Sequence, residues 1–266
     1  MDNNLTRDIV LPSRGLLNAN IPGGKVTQRC MMVRDQKYLS GSSSADNGIT
    51  RLLQDTIVSP SNIKVADLSI PDTMYLLMSL RSFSYGDVIK FEYRCPHCRE
   101  LTKVSVDISK IDVYDLYEGY QEDMSVELPH SGDTVYTRFL RNRDLDEVRE
   151  TVQKLRDSSE NGEIDEGIEY VLRLSKMIEK IKLKEPDADG ETVLTDPIDI
   201  RKYVEKMTDY DASAITATVD SIEFGIAPDY PVTCTHCKQS FRAPIMIDYT
   251  FFRPKFEVKH KRTRRK

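Results

Sequence analysis

Apolar residues recur at helical spacing in two stretches of the first third of the chain. The first helix is predicted from the apolar positions Ile49, Leu52, Leu53 and Ile57, and Pro60 ends it. The second helix begins at Pro71 and Asp72, which suit a first helical turn, and Gly86 ends it. Its buried face is predicted from Met74, Leu77, Met78 and Leu80.

Short runs of β-branched and aromatic residues predict strands, and these runs occur in pairs around turn-forming residues. Three hairpins are predicted: Asp87–Tyr93 with Leu101–Ile108, Met124–Leu128 with Thr134–Phe139, and Asp229–Thr233 with Phe241–Ile247. The second hairpin turns at Ser131-Gly132-Asp133, whereas the first and third carry two cysteines each in their turns.

The pattern changes to helix between Asp144 and Ile222. Four helices are predicted: one capped by Asp144 and running to about Arg156, a long amphipathic one from Ile164 to Ile181, a short one from Asp196 to Met207, and a last one capped by Asp209. Between the second and the third, Asp187-Ala188-Asp189-Gly190 is similar to the start of a calcium loop. Ile198 stands where such a loop needs a bidentate glutamate, so we expect a polar turn there.

These patterns together predict an α+β fold with a zinc-ribbon-like β module built from two distant hairpins. The expected parts are an extended N-terminal arm with short strands over 1–46, a helical segment over 47–86, the composite ribbon over 87–110 and 226–252, a hairpin with a large helical insertion over 111–225, and a basic tail over 253–266.

Composition and charge narrow the class of protein. Of 266 residues, 39% are hydrophobic and 30% charged, and no apolar run approaches the roughly 18 residues of a membrane span, so a soluble protein made in the cytosol is expected. The net charge of −5 is uneven: Lys255–Lys266 holds seven basic residues against Glu257, which leaves −11 for the rest. Such a basic segment suits nucleic-acid phosphates or an acidic partner, but it is also common in solvated termini.

The cysteines carry the clearest chemistry. Cys95 and Cys98 form one Cys-x-x-Cys pair, and Cys234 and Cys237 form the other. Two such turns place four thiolates around one Zn²⁺, with no coordination position left for substrate, so the predicted site is structural. A redox dithiol, disulfides or coincidence are the alternatives. The fifth cysteine, Cys30, is expected to be a small buried thiol.

Side chains around the two cysteine turns fit this interpretation. His97 and His236 lie inside the turns and are expected to be bystanders, although exchange of a ligand with either stays open. The flanking basic residues would balance the negative charge of a four-thiolate centre. They are Arg94, Arg99, Lys103, Lys238 and Arg242. No phosphate loop, nucleophile elbow or His-Glu-x-x-His helix is present, so no catalytic site is predicted.

The serial order of several short motifs resembles the baseplate hub assembly proteins of contractile-tailed bacteriophages. The motifs are Leu11-Pro12-Ser13-Arg14-Gly15, Gly24-Lys25-Val26 with Met31, Leu80-Arg81 with Ser84-Tyr85-Gly86, Cys95-Pro96-His97-Cys98, Val126-Glu127-Leu128-Pro129 with Ser131-Gly132, and the late Cys-x-x-Cys followed by Phe251 and Phe252.

The resemblance implies a non-enzymatic role in building the central hub of the tail baseplate, or as part of it. Its partners would be other baseplate or tail hub proteins, and its place the host cytoplasm during assembly and the tail of the virion. The zinc site is predicted from this sequence and not from the resemblance. The alternative function is a zinc-ribbon nucleic-acid-binding accessory protein that uses Lys255–Lys266. An enzyme with a concealed acidic pocket is a more distant one.

Overall fold

The computed structural model describes residues 5–39, 45–122, 124–159, 162–165, 167–186, 192–227, 229–245 and 249–252. Two compact units are present: unit 1 comprises Met1–Leu77 and Val113–Ile226, and unit 2 comprises Met78–Asp112 and Ala227–Lys266. Helices and strands are both plentiful, which confirms the α+β class. The predicted calcium-like turn at 187–190 and the basic tail lie outside the described residues.

The α-helices of the described residues are α1 (Ala45–Thr56), α2 (Ile70–Tyr85), α3 (Asn142–Ser158), α4 (Ile168–Met177), α5 (Pro197–Lys206) and α6 (Asp209–Asp220). Short 3-10 helices cover Pro22–Gly24, Val33–Leu39, Val65–Asp67, Ile108–Lys110 and Tyr249–Phe252. No helix in this part of the chain is long and apolar enough to cross a membrane.

The strands are β1 (Thr6–Val10), β2 (Lys25–Arg29), β3 (Ile57–Ser59), β4 (Val88–Arg94), β5 (Leu101–Asp107), β6 (Val113–Tyr114), β7 (Met124–Glu127), β8 (Thr134–Thr137), β9 (Ile178–Lys182), β10 (Val193–Leu194), β11 (Gly225–Ile226), β12 (Asp229–Thr233) and β13 (Ser240–Pro244). In unit 1 they form the sheets β1-β2-β3, β10-β9-β8-β7 and β11-β6, and in unit 2 the hairpins β4-β5 and β12-β13. All of these pairs are antiparallel.

One hydrophobic core of unit 1 lies where the four-stranded sheet meets α4, α5 and α6. Val135, Ile181 and Ile215 are fully buried there. A second cluster joins Leu116 and Tyr120 to residues of the sheet and of α6. The segment Val113–Tyr120 therefore contributes side chains to the core of this unit.

The motif Leu11–Gly15 is a buried turn of unit 1. Leu11 is fully buried, and the backbone N–H of Ser13 donates to Asp72 Oδ1 in the first turn of α2 at 3.0 Å. Gly15 has φ of +78°, and a Cβ there would lie 2.0 Å from the carbonyl oxygen of Ile21. Glycine is required here by conformation and by space, and the predicted arm is part of the packed unit from β1 onwards.

The long helix predicted from Ile164 to Ile181 was wrong in its extent. The helix α4 ends at Met177, and Ile178 and Ile181 lie in β9, paired with β8. Residues three apart share a face of a helix but point to opposite faces of a regular strand, so this spacing favours a helix. The pairing of β9 with β8 shifts register between Tyr136 and Thr137, and this irregularity lets both isoleucines be buried in the strand. The predicted helical insertion is therefore mixed, with β9 and β10 inside it.

Helix ends differ from the predictions by a few residues. Ile57 lies in β3 and not in α1. Arg141 is the N-cap of α3, where Asp144 accepts a hydrogen bond from the Arg141 backbone N–H at 2.8 Å. Thr208, not Asp209, caps α6, because its side chain reaches the backbone N–H of Asp211. The predicted start of α5 at Asp196 is confirmed, and the Asp196 side chain caps this helix by accepting from the backbone N–H of Ile198.

Candidate metal centre

Two hairpins of unit 2 present the cysteines at their tips. β4 and β5 pair in register from Val88↔Asp107 to Arg94↔Leu101, and β12 and β13 pair from Asp229↔Pro244 to Thr233↔Ser240. Each Cys-x-x-Cys sequence follows the last residue of the first strand of its hairpin. The sequence predicted both hairpins correctly, because alternating strand residues flank each cysteine turn.

The two cysteine turns have the same backbone conformation. In the first, the N–H of Arg99 donates to the carbonyl of Cys95 at 2.9 Å, and in the second the N–H of Lys238 donates to that of Cys234 at 3.1 Å. Arg99 and Lys238 both have φ of +64°, in the left-handed region that a side chain adopts at a cost. This conformation turns the chain so that both sulfurs of one turn face the same point.

The four sulfur atoms form one compact group. All four Sγ atoms lie within 4.8 Å of one another, and Sγ–Sγ is 3.7 Å both for Cys95 with Cys237 and for Cys98 with Cys234. Sulfurs at the corners of a tetrahedron, each about 2.3 Å from a zinc ion, would be about 3.8 Å apart. A disulfide needs about 2.05 Å, and all four cysteines are free thiols.

The sulfur of Cys234 accepts two hydrogen bonds from neighbouring groups. Cys234 is fully buried, and its Sγ accepts from the hydroxyl of Thr102 at 3.1 Å and from the N–H of His236 at 3.4 Å. Donors of this kind commonly orient and stabilise metal-bound thiolates. Sequence reasoning missed Thr102, and the only signal was the alternation of β5, which places it opposite Tyr93 of β4.

The thiols of the group are electrostatically unequal. The hydrogen bond from Thr102, helped by the backbone at Cys237 and His236, lowers the pKa of Cys234 to about 5. The backbone N–H at Glu100 lowers the pKa of Cys98, but burial and the neighbouring thiols together outweigh it and raise this pKa to about 12. Four thiolates in such a small volume repel each other, so full deprotonation requires a cation among them.

The inner faces of the two hairpins pack beneath the cysteines. Tyr93 from β4 meets Val232 and Ala243 from the other hairpin, and its hydroxyl donates to the carbonyl of Pro244 at 2.6 Å. Burial raises the pKa of Tyr93, as expected for a hydroxyl engaged as a donor. Among the described residues, these three form the buried centre of a small cluster, and Phe91, Val104, Tyr230 and Phe241 pack against it half-buried.

Arg81 holds the backbone between α2 and β4, the first strand of the first hairpin, in place. It is almost fully buried near the end of α2, and its guanidinium donates to the carbonyl oxygens of Gly86 at 2.6 Å and Val88 at 3.3 Å. Burial lowers its pKa. The motif residues Arg81, Tyr85 and Gly86 thus connect a helix to a strand of unit 2, with the guanidinium stacked over the Tyr85 ring.

Histidine is not part of the sulfur group, and His97 and His236 are both exposed. Of the flanking basic residues, Lys103 pairs with Glu92 and Arg242 with Asp229. An all-sulfur set in tetrahedral spacing is able to hold a metal ion and leaves no position open to a substrate.

These features define an α+β protein with a cluster of four cysteines that is able to hold a metal ion. The chain belongs to a bacteriophage family: the family model described as T4 bacteriophage base plate protein matches residues 15–248. The resemblance to baseplate proteins is therefore confirmed. No curated protein and no solved structure matches the chain.

Proposed function

We propose that this chain is a non-enzymatic tail protein that acts in assembly of the baseplate hub or as a structural subunit of the baseplate. The family match supports a baseplate protein, and the closed sulfur centre supports a structural use of the metal. Its partners on this proposal are other baseplate or tail hub proteins, met in the host cytoplasm during assembly and then in the virion tail.

The metal on this proposal is one zinc ion held by Cys95, Cys98, Cys234 and Cys237. The observation that supports it is the 3.7 Å spacing of sulfurs from different hairpins. Because the hydrophobic core between the hairpins is small, the ion would supply much of the free energy that holds them together. Structural zinc contributes roughly 10 kcal/mol or more to folding in small zinc-binding peptides.

Metal analysis of purified, reduced protein tests the zinc assignment. Wild type is expected to carry one zinc ion per chain, and Cys95→Ser with Cys234→Ser to carry none. Cys30→Ser is the matched control, since it removes a cysteine outside the sulfur group, and it should keep the zinc. Metal retained by the double variant or absent from wild type would refute the site.

Purification from infected cells tests the assembly role separately. Tagged wild type is expected to co-purify with tail or baseplate proteins and to show little affinity for DNA at moderate salt. Binding of DNA that falls steeply as salt rises, without tail proteins, would instead favour the nucleic-acid-binding alternative.

A further inference from the structure

Val113, Tyr114, Asp115, Tyr117 and Glu118 form an exposed aromatic and acidic strip of unit 1, here called the tyrosine surface. Tyr117 is 61% exposed, Tyr114 47% and Val113 44%. The Tyr117 ring packs edge-on against Tyr120, with 5.3 Å between the ring centroids, and leaves more than half of its surface exposed.

The backbone that carries the tyrosine surface is held in place. Leu116 and Tyr120, 3% and 4% exposed, anchor it in a hydrophobic cluster, and the N–H of Leu116 donates to the carbonyl of Pro12 at 2.8 Å. The strand β6 at its start pairs with β11. The surface is thus presented in a fixed conformation, which lowers the entropy lost when a partner binds.

The segment that carries this surface is acidic. Between Lys110 and Arg138 the sequence contains seven carboxylates and no lysine or arginine. Asp115 is paired with Arg14 and Glu122 with Arg141, while Glu118 lies exposed beside Tyr117. Tyrosine rings next to carboxylates suit a guanidinium group, which stacks on the ring and pairs with the acid.

We propose that the tyrosine surface is a docking site for an arginine-rich segment of another protein. The complementary charge and the exposed rings define this partner chemistry. The inference depends neither on the metal centre nor on the hub role, so it can fail while both of those stand.

The experiment measures binding of a fluorescent arginine-rich peptide to the full chain by anisotropy. We expect salt-sensitive binding that weakens about tenfold in Tyr114→Ala with Tyr117→Ala, since each exposed cation–π contact contributes about 0.5–1 kcal/mol. The matched control is Tyr170→Ala with Tyr210→Ala, two tyrosines 50% and 69% exposed on α4 and α6, which should bind as wild type does. A peptide with glutamate in place of arginine should not bind.

Equal affinity for wild type and the Tyr114→Ala, Tyr117→Ala variant would overturn the proposal, as would the same loss in the control variant. Circular dichroism melting of both variants verifies that each is folded, and the exposed positions make this the expected result. Sedimentation velocity tests whether a second copy of this chain binds the tyrosine surface instead. If wild type self-associates and the Tyr114→Ala, Tyr117→Ala variant does not, the surface binds a second copy and the partner proposed here is wrong.

Discussion

One side-chain hydroxyl group, that of Thr102, donates a hydrogen bond to Cys234 and so sets this cysteine apart from the other three. Thr102 is fully buried in β5 and donates to Cys234 Sγ, where no hydrophobic contact could replace it. A hydrogen bond of this kind compensates the negative charge that sulfur keeps when it binds a metal. The residue therefore belongs to the proposed zinc site although it does not touch the metal.

Replacing Thr102 by valine is expected to lower zinc affinity about tenfold, because the shape is kept and the donor is lost. Thr102→Ser retains the hydroxyl and should stay close to wild type. Competition with a chromophoric chelator measures both. If the valine and serine variants held zinc equally, the hydrogen bond would have no part in the site.

Two glycines allow the free energy of unfolding lost to a left-handed backbone to be compared with that lost to steric crowding of an added Cβ. Gly15 and Gly119 have φ of +78° and +79°, but a Cβ at Gly15 would meet the Ile21 carbonyl at 2.0 Å, whereas at Gly119 nothing lies within 4 Å. We expect Gly119→Ala to cost about 1 kcal/mol from backbone strain alone. Gly15→Ala should cost about 1–3 kcal/mol more.

Urea unfolding of both glycine variants, followed by circular dichroism, gives the comparison. Similar losses for the two would show that the Leu11–Gly15 turn relaxes freely, contrary to the packed loop described for unit 1.

At the level of elements, the start of α3 depends on a buried ion pair. Asp144 accepts from both Arg138 guanidinium nitrogens, at 2.7 and 2.9 Å, and from the backbone N–H of Arg141. Burial alone would raise the pKa of Asp144, but these hydrogen bonds and the Arg138 charge lower it. The carboxylate is thus stabilised in the folded state, and its contribution is present above about pH 4 and lost as pH falls further through the lowered pKa.

Asp144→Asn should therefore cost about 3 kcal/mol at pH 7, because it leaves the Arg138 charge without its partner. The difference from wild type should shrink as pH falls below about 4. Asp146→Asn, on the same helix but in an exposed pair with Arg149, is the control and should change stability little. A difference independent of pH would contradict the role of the charge.

Local signals predicted the hairpins well and the middle of the chain only in part. The cysteine turns and the Ser131-Gly132-Asp133 turn fix their hairpins by sequence alone, because turn chemistry and strand alternation agree there. The spacing of Ile178 and Ile181 is typical of a helix, and only pairing with β8, with a register shift between Tyr136 and Thr137, places them in a strand. Leu116 and Thr102 are also defined by long-range contacts, which no short motif contains.

At the level of the whole molecule, the chain combines a larger unit with a substantial core and a smaller unit whose hairpins share few buried side chains. Both units are built from discontinuous segments, so the cysteines that meet are 136 and 142 positions apart. One metal ion at this point would join sequence-distant strands at the moment unit 2 folds. On the function proposed above, that ion would keep unit 2 rigid.

X-ray absorption at the zinc edge of the purified, reduced protein tests this claim most directly. The account predicts one zinc ion per chain with four sulfur neighbours at about 2.3 Å and no nitrogen or oxygen ligand. A spectrum with histidine nitrogen or water in the first shell, or protein that carries no zinc at all, would contradict it.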